Sequence, residues 1–375
     1  MTTKLPIFVF GAALTIVGIL AVAFFDGIAQ LFHFISPDGI IHPSTLLELR
    51  VVLSSLGLVG LYLLFRDNAH RHLAGLNRVV NNMSPGAFLL RFFAVGLILR
   101  VLVVAFMDIP MYIDYQAYDE LAWAWAQMGG YYNGEHLTGY YPAGYPFFLS
   151  RLYLLFGHAP SACAIANVFL SLAISYLSYL IARRVFDEKT ARWTALIMLF
   201  FPSQILFVNL LTSEMVFTPL FLLAILMTLI AVERLSGRWW LLIAAGVALG
   251  LATLTRGLTQ VYWLLLIPVF YMRTRSGSKT ARDTILMLLG FAVVVTPWIL
   301  RNHHAVGRAR ISTNGGINFM IGNNPASGMG WIEPDTVEFN IHDATLEAYI
   351  DSVGWQRGWT YIKAHPLGFV KRGLL

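Results

Sequence analysis

The chain has 375 residues, of which 57% are hydrophobic and 12% are charged, and it carries a formal net charge of +6. Soluble domains contain roughly 25% charged residues. Together with a mean hydropathy of +0.66, the composition excludes a disordered chain and a water-soluble globule and predicts a polytopic membrane protein. The single cysteine, Cys163, excludes an intramolecular disulfide and a zinc site built from several cysteines.

Apolar runs of about 17–25 residues predict the membrane spans, because that length crosses a hydrocarbon core of about 30 Å. Nine such segments predict an all-α membrane protein with about nine transmembrane helices. The first run, together with Lys4 and Ala21-Val22-Ala23, also fits a cleavable signal peptide over residues 1–23. In chain order the segments are 5–25, 46–65, 87–107, 160–182, 191–208, 213–232, 238–254, 258–272 and 283–300.

The lysines and arginines in the gaps predict the orientation, since cytoplasmic loops are enriched in them. Fourteen lie at one set of alternate span ends and three at the other, which places the N-terminus in the cytoplasm and residues 108–159 and 301–375 outside. The basic residues lie between the spans and therefore indicate a membrane topology, with no nucleic-acid partner expected. The fourteen are Lys4, Arg66, Arg71, Arg78, Arg183, Arg184, Lys189, Arg192, Arg234, Arg238, Arg273, Arg275, Lys279 and Arg282; the three are Arg50, Arg151 and Arg256.

The two outer regions carry most of the polar residues. In the first, residues 115–128 have helical spacing and residues 146–156 are apolar but too short to span, so both are expected to be helices in the membrane interface. The second, 301–375, shows turn signals around Asn314-Gly315-Gly316 and a helical pattern at about 343–364. We expect it to form a small loop domain.

Asp114 comes a few residues after the third predicted span, and Asp119 and Glu120 follow it. A carboxylate beside a bilayer can have a raised pKa and act as a general base. The same residue types also favour the first turn of any helix. Spacing alone leaves both interpretations of Asp114 open.

Four further charges lie near span ends or inside a span. Glu214 and Arg256 each sit in a turn between two spans, where Glu214 also fits a helix N-terminus and Arg256 a side chain that reaches water. Arg301, at the end of the last span, fits either a headgroup anchor or a bidentate phosphate ligand. Arg100 lies inside the third span, where a charge usually faces a partner or a cavity. The adjacent pair His303-His304 does not place both rings on one helix face and is a weak metal candidate.

Several short motifs follow one another in a fixed order, and together they resemble those of bacterial GT-C glycosyltransferases of the protein O-mannosyltransferase and lipid A aminoarabinose-transferase type. The resemblance runs from about residue 87 to residue 330. The motifs are Ile113-Asp114-Tyr115-Gln116-Ala117-Tyr118, Tyr141-Pro142-Ala143-Gly144-Tyr145-Pro146, Phe201-Pro202, Thr212-Ser213-Glu214, Leu254-Thr255-Arg256, Pro297-Trp298 with Arg301-Asn302, Asn314-Gly315-Gly316 and Gly322-Asn323-Asn324-Pro325.

The resemblance implies a seven-helix module at 87–300, whose first extracytoplasmic loop is 108–159, preceded by two extra helices in 1–86. The chain departs from the family at Arg256-Gly257, where the family has Arg-Pro. Family members usually continue with more spans after a His-Pro such as His365-Pro366, so the resemblance leaves two interpretations of 301–375 open: a truncated loop region, or the loop region of a compact member.

The resemblance further implies a membrane enzyme that transfers a sugar from a polyprenyl-phosphate-linked donor to an acceptor hydroxyl on the outer face of a bacterial inner membrane. Asp114 is the expected general base, and a single displacement inverts the anomeric centre. The acceptor class stays open between lipid, glycan and protein, and no cofactor is implied beyond an optional divalent metal. The expected substrate-binding residues are Tyr118, Glu214, Arg256, Arg301, Asn302 and Asn314.

Two other functions compete with that of a glycosyltransferase. A transporter or flippase of a lipid-linked glycan should show symmetric repeats and charges near the membrane midplane, whereas these charges lie mostly at span ends. The second alternative is a non-catalytic subunit of a glycan assembly complex. The full set of motifs is the one feature of the sequence that argues against it.

Overall fold

The computed structural model describes residues 75–109, 113–233, 239–324 and 346–374. The predicted spans 5–25 and 46–65, and the signal-peptide interpretation of residues 1–23, lie outside these ranges. The chain divides into two units, Met1–Met83 with Gly328–Trp331 and Ser84–Ser327 with Ile332–Leu375. In the first unit residues 75–82 are helical; all that follows concerns the second.

The second unit is helical, and within its described residues the only strands form one short antiparallel hairpin. The helices are α1 Pro85–Phe106, α2 Ile113–Met128, α3 Gly144–Phe156, α4 Pro160–Val185, α5 Glu188–Phe200, α6 Pro202–Leu206, α7 Glu214–Glu233, α8 Trp239–Thr255, α9 Tyr262–Thr274, α10 Gly277–Val306, α11 Gly315–Gly322, α12 Glu347–Ala364 and α13 Pro366–Leu374. The strands are β1 Tyr132–Asn133 and β2 His136–Leu137. Phe207–Asn209 and Gly257–Val261 form 3₁₀ turns.

Each of the seven segments predicted between 87 and 300 contains α-helix, but 191–208 is broken at Phe201, and 258–272 begins in the 3₁₀ turn Gly257–Val261 before α9. Among the described residues, four helices, α1, α4, α7 and α10, are long and apolar enough to cross a membrane, and the bent pair Glu188–Phe200 and Pro202–Asn209 counts as a fifth if it forms one broken span. α8 is apolar but has 17 residues, and α9 has 13. The protein is therefore an all-α, multi-pass membrane protein, while the count of nine spans stays a prediction.

The span predicted over 191–208 is not one continuous helix. It bends by 56° where α5 meets α6, because Pro202 has no backbone N–H to continue the ladder of α5. The side chain of Arg100, fully buried in α1, donates from Nη1 to the carbonyl of Leu199 at the end of α5 (3.1 Å) and from Nε to Ser171 Oγ (2.7 Å). A guanidinium thus satisfies a carbonyl at the break, where cations are favoured by the helix dipole.

Glycines bring α8 and α10 into backbone contact. A Cβ added to Gly290 would lie 2.0 Å from the carbonyl oxygen of Ile243, and one added to Gly246 would lie 1.9 Å from that of Met287. Small residues at such crossings allow close packing of membrane helices. This contact fixes α10 against α8, the two helices that end at Val306 and Thr255 beside the candidate site.

Gly315 and Gly316, expected to lie in a turn with Asn314, instead begin the helix α11, Gly315–Gly322. The reason is packing against α12, since a Cβ on Gly316 would lie 1.9 Å from the carbonyl oxygen of Asp351, and one on Gly354 would meet the backbone of Gly316 at 2.3 Å. The glycines therefore serve a helix crossing, and tertiary contact overrides their low helix propensity.

Candidate active site

Asp114 lies in the first turn of α2 with an exposed side chain. The phenol of Tyr141, which precedes α3, donates a hydrogen bond of 2.8 Å to Asp114 Oδ1. Burial and the neighbouring carboxylate raise the pKa of Tyr141 well above its usual range. The tyrosine therefore stays a proton donor to Asp114 across the physiological pH range.

Glu214 and Arg256 form an ion pair through Arg256 Nη1. Glu214 begins α7 and also accepts a hydrogen bond from Thr212 Oγ1, while Arg256 follows the last residue of α8 and donates to Ser213 Oγ at 3.1 Å. Both side chains are about 40% exposed, so they are open to a ligand. Among the described residues, both of these polar contacts of Arg256 are made by Nη1.

Tyr118 joins these two groups into one site. Its ring packs against Tyr141 with centroids 5.0 Å apart, and its phenol is hydrogen-bonded to Ser213. Burial raises the pKa of Tyr118 to about 12, with smaller effects from the Ser213 hydrogen bond and from the charges of its neighbours. The charges that act on this phenol are those of Asp114, Arg256 and Glu214, so the structure brings together four of the seven residues singled out from the sequence.

Arg301 binds the backbone of the first loop region, residues 108–159. Its Nη1 donates to the carbonyl of Thr138 and its Nη2 to that of Tyr131 (2.9 Å), and its guanidinium packs 4.8 Å from the ring centroid of Trp298. Asn302 is fully buried and donates to the carbonyl of Arg310 at 2.9 Å. These contacts give both residues a structural role in joining α10 to the loop regions, and their expected substrate contacts stay predictions.

Asn314 reaches the same loop through its backbone. The amides of Thr313 and Asn314 donate to the carbonyls of Gly139 (2.9 Å) and Tyr140 (3.2 Å). The Asn314 side chain accepts from Ser312 Oγ at 2.9 Å. The residue therefore holds the segment that leads to Tyr141.

Asp119 belongs to a different cluster. Its nearly buried carboxylate accepts from Tyr153 Oη and lies 2.8 Å from His158 Nε2, and the His158 ring stacks on Trp123 at 4.6 Å. The contacts tie α2 to α3 and to the turn before α4. Asp119 is thus engaged with partners other than those of Asp114.

A cavity of about 1030 Å³ opens between α3, α4, α7, α8 and α10. Its wall is almost wholly apolar, with Phe148, Leu170 and Leu220 among its side chains, and Arg151 is the one charged residue among the described residues that line it. Thr255 also lines it and directly precedes Arg256. The chain therefore places an apolar space next to its polar site.

No metal-binding group is assigned among the described side chains of this site. Among the residues that the structure describes, no three or more His, Cys, Asp or Glu side chains are grouped as a metal site requires. The optional divalent metal stays a prediction without a location.

Three residues of the site region were not singled out from the sequence. Tyr141 begins the motif Tyr141-Pro142-Ala143-Gly144-Tyr145-Pro146, and Ser213 precedes Glu214 in the chain. Both could therefore have been proposed from their neighbours. Glu347, a buried carboxylate that contacts the first loop region at Thr138 and Gly139, gives no signal in the sequence because its partners lie more than 200 positions away.

One segment of the chain matches a known protein family. Residues 141–300 match the family described as dolichyl-phosphate-mannose-protein mannosyltransferase. No curated protein and no solved structure matches the chain. The matched segment begins at Tyr141 and includes Glu214, Arg256 and the helices α3 to α9 with most of α10. This match, on a chain with apolar membrane-length helices, shows the protein to be a membrane glycosyltransferase of the GT-C type.

Proposed function

We propose that this enzyme transfers a sugar from a polyprenyl-phosphate-linked donor to an acceptor hydroxyl at the outer face of a bacterial inner membrane, with inversion of the anomeric centre. The observation that carries the proposal is the meeting of three charged residues, Asp114, Glu214 and Arg256, around the phenol of Tyr118, beside a large apolar cavity. The name of the matched family, which contains dolichyl-phosphate mannose, supports a lipid-phosphate sugar as donor.

Asp114 is the proposed general base. An acceptor hydroxyl is hardly ionised at neutral pH, whereas a sugar joined to phosphate already has a good leaving group. As the acceptor oxygen attacks the anomeric carbon, its proton passes to Asp114, and the bond from that carbon to the phosphate oxygen breaks with its electron pair. The exposure of Asp114 and its hydrogen bond from Tyr141 support this role, because a base must be both accessible and oriented.

Arg256 is the proposed phosphate ligand. Negative charge grows on the phosphate as the glycosidic bond breaks, so a guanidinium there stabilises the transition state more than the ground state. The ion pair with Glu214 and the bond to Ser213 hold one side of the guanidinium and orient the other for the ligand.

The apolar cavity is the proposed site of the lipid chain of the donor. Its wall offers hydrocarbon contacts from Phe148, Leu170 and Leu220, and it reaches Thr255 next to the proposed phosphate ligand. A long isoprenoid chain can therefore be buried while its phosphate lies at the polar site.

The test is Asp114→Asn, which keeps the shape of the side chain and removes the base. Transfer should fall by roughly 10²–10⁴-fold, the usual contribution of a general base, while binding of the lipid-linked donor is retained. Asp119→Asn is the matched control on the same helix, since Asp119 contacts Tyr153 and His158 instead. A rate near wild type for Asp114→Asn, or a product with retained anomeric configuration, would remove the assignment.

A further inference from the structure

The first turn of α12 is hydrogen-bonded to residues 138–139, in the loop that leads to Tyr141 of the candidate active site. Glu347, the first residue of α12, is 4% exposed. Its Oε2 accepts a hydrogen bond from Thr138 Oγ1 (2.7 Å), and its Oε1 accepts one from the amide of Gly139 (2.8 Å). A buried carboxylate with two directed donors fixes the position of the backbone that carries them.

The same short segment is held from other sides as well. Its carbonyls at Thr138, Gly139 and Tyr140 accept from Arg301 Nη1, the Thr313 amide and the Asn314 amide. Within residues 138–140 the backbone is therefore bonded to α10, to the turn before α11 and to α12. Glu347 is the anionic member of this set, and it lies close enough to Arg301 for the two charges to interact.

The next residue in the chain is Tyr141, whose phenol donates to Asp114. A shift of residues 138–140 moves the Tyr141 backbone directly, and a phenol that moves by about 1 Å loses its alignment with the carboxylate. A misaligned phenol costs at most what its removal costs, about tenfold in rate for a hydrogen bond to an exposed charged group. The contacts thus form one route from α12 to the proposed base.

We propose that Glu347 is a positioning residue for Asp114, acting through residues 138–140 and the phenol of Tyr141. The inference rests on the proposed function of Asp114 as base. It gives the region after α10 an indirect part in the transfer reaction, because Glu347 positions the proposed base and does not touch the reacting atoms.

Asp351 provides a matched control one helical turn further along α12. It is also a fully buried carboxylate, but it accepts from the Gly316 amide (2.8 Å) and from Arg310 Nη1 (2.7 Å). It therefore docks α12 onto α11 and the residues before it, with no described contact to residues 138–141. Loss of Asp351 weakens the docking of α12 without releasing the loop directly.

The experiment compares Glu347→Ala, Asp351→Ala, Tyr141→Phe and the double variant Glu347→Ala/Tyr141→Phe in the full-length protein, with kcat and donor KM measured for each. We expect Glu347→Ala to lower kcat by up to about tenfold, the loss expected when the Tyr141 phenol is removed, with little change in KM. We expect Asp351→Ala to lower Tm while kcat stays near wild type. The double variant should be hardly slower than the slower single variant, because both changes break the same route. Additive losses, or equal losses of kcat in Glu347→Ala and Asp351→Ala, would overturn the proposal.

Hydrogen exchange adds a readout that does not depend on turnover. The amides of residues 139 and 140 should exchange faster in Glu347→Ala than in Asp351→Ala. If Glu347→Ala fails to fold, Glu347→Gln replaces it, since glutamine keeps one acceptor oxygen for Gly139, and a smaller loss of kcat is then expected. Unchanged exchange and unchanged kcat in the folded variant contradict the role of Glu347.

Asp114→Asn separates the two proposals. If that variant is slow while Glu347→Ala is as fast as wild type, the positioning role fails and the base assignment stands. If Asp114→Asn transfers sugar at the wild-type rate, the base assignment fails and the positioning role fails with it.

Discussion

The phenol of Tyr141 and the carboxylate of Asp114 meet at 2.8 Å, which joins α2 to the segment before α3 at the point where chemistry is proposed. The residues are 27 positions apart, and the intervening chain contains the β-hairpin. The hydrogen bond makes the orientation of the proposed base dependent on a neighbouring loop.

Replacing Tyr141 by phenylalanine should lower kcat about tenfold, because a hydrogen bond to a charged group contributes roughly 1.5–3 kcal/mol and Asp114 is exposed, which favours the lower value. The measurement is steady-state transfer of a radiolabelled sugar. Tyr140→Phe is the control, since the Tyr140 ring packs on Tyr141 at 4.9 Å. Because the pKa of Tyr141 is raised well above its usual range, ionisation of this phenol should produce no alkaline fall in rate up to about pH 10. Equal rates for wild type and Tyr141→Phe would show that the hydrogen bond is irrelevant to transfer.

Arg256→Ala should lower turnover, and Arg256→Lys should restore only part of it, because an ammonium cannot make the two parallel hydrogen bonds of a guanidinium. Glu214→Gln should weaken the orientation of Arg256 and lower turnover less than Arg256→Ala does. Arg151→Gln is the control for a general loss of positive charge near the lipid cavity. Turnover of Arg256→Ala at the wild-type rate would exclude the phosphate role.

Membrane topology can be tested with single cysteines in a Cys163→Ala background. An impermeant thiol reagent applied from outside should label His136→Cys, in β2, and should not label Ser278→Cys, in the first turn of α10. The basis is the excess of lysine and arginine on the side that contains residue 278. Labelling at 278 in sealed cells would reverse the predicted orientation.

Gly290→Ala should destabilise the protein by more than the 1–3 kcal/mol typical of overpacking, since the added Cβ would lie 2.0 Å from a backbone oxygen that cannot move alone. Thermal unfolding in detergent is the measurement. Gly277→Ala, where nothing lies within 4 Å of the added carbon, is the control at the start of the same helix. A Tm for Gly290→Ala equal to that of the control would contradict the close crossing of α8 and α10.

Glu347 should make stability fall as the pH rises. Burial raises the pKa of Glu347 above its ordinary value of 4.5, against the smaller effects of its hydrogen bonds and of Arg301. The folded protein then holds the proton more tightly than the unfolded chain, so the contribution is fully present below pH 4.5 and is lost as the pH passes through the folded pKa. Thermal unfolding over this window should show a smaller pH dependence for Glu347→Gln than for wild type. Parallel curves for the two proteins would contradict the raised pKa.

Much of the transmembrane framework could be predicted because length and apolarity are local properties. The seven segments between 87 and 300 each contain α-helix, and the charges at their ends, Asp114, Glu214 and Arg256, gather at one site around Tyr118. Charges at the same end of several spans are brought near one another by the packing of those spans, so their meeting follows from the pattern.

The contacts between distant segments could not be predicted. The bonds from Arg301 to loop carbonyls 163 and 170 positions away could not be foreseen from the sequence, and its expected phosphate contact stays a prediction. Glu347 has partners over 200 positions away, and the helix at Gly315–Gly322 exists because Gly316 meets α12. Each of these depends on a fold that brings remote backbone groups together, which periodicity does not encode. The bend at Pro202 was foreseeable from the proline, but apolarity alone indicated a straight span.

The buried side chain of Arg100 has a consequence for how the protein is made. A charge in a membrane helix raises the free energy of insertion by about 2.5–3.5 kcal/mol at the helix centre, and two of the groups that satisfy Arg100, at Ser171 and Leu199, lie 71 and 99 residues further along the chain. When α1 leaves the ribosome, these groups have not yet been synthesised. We therefore expect α1 to remain beside the translocon until α5 has emerged, so that the first helix of this unit reaches its final place in the bilayer after later ones.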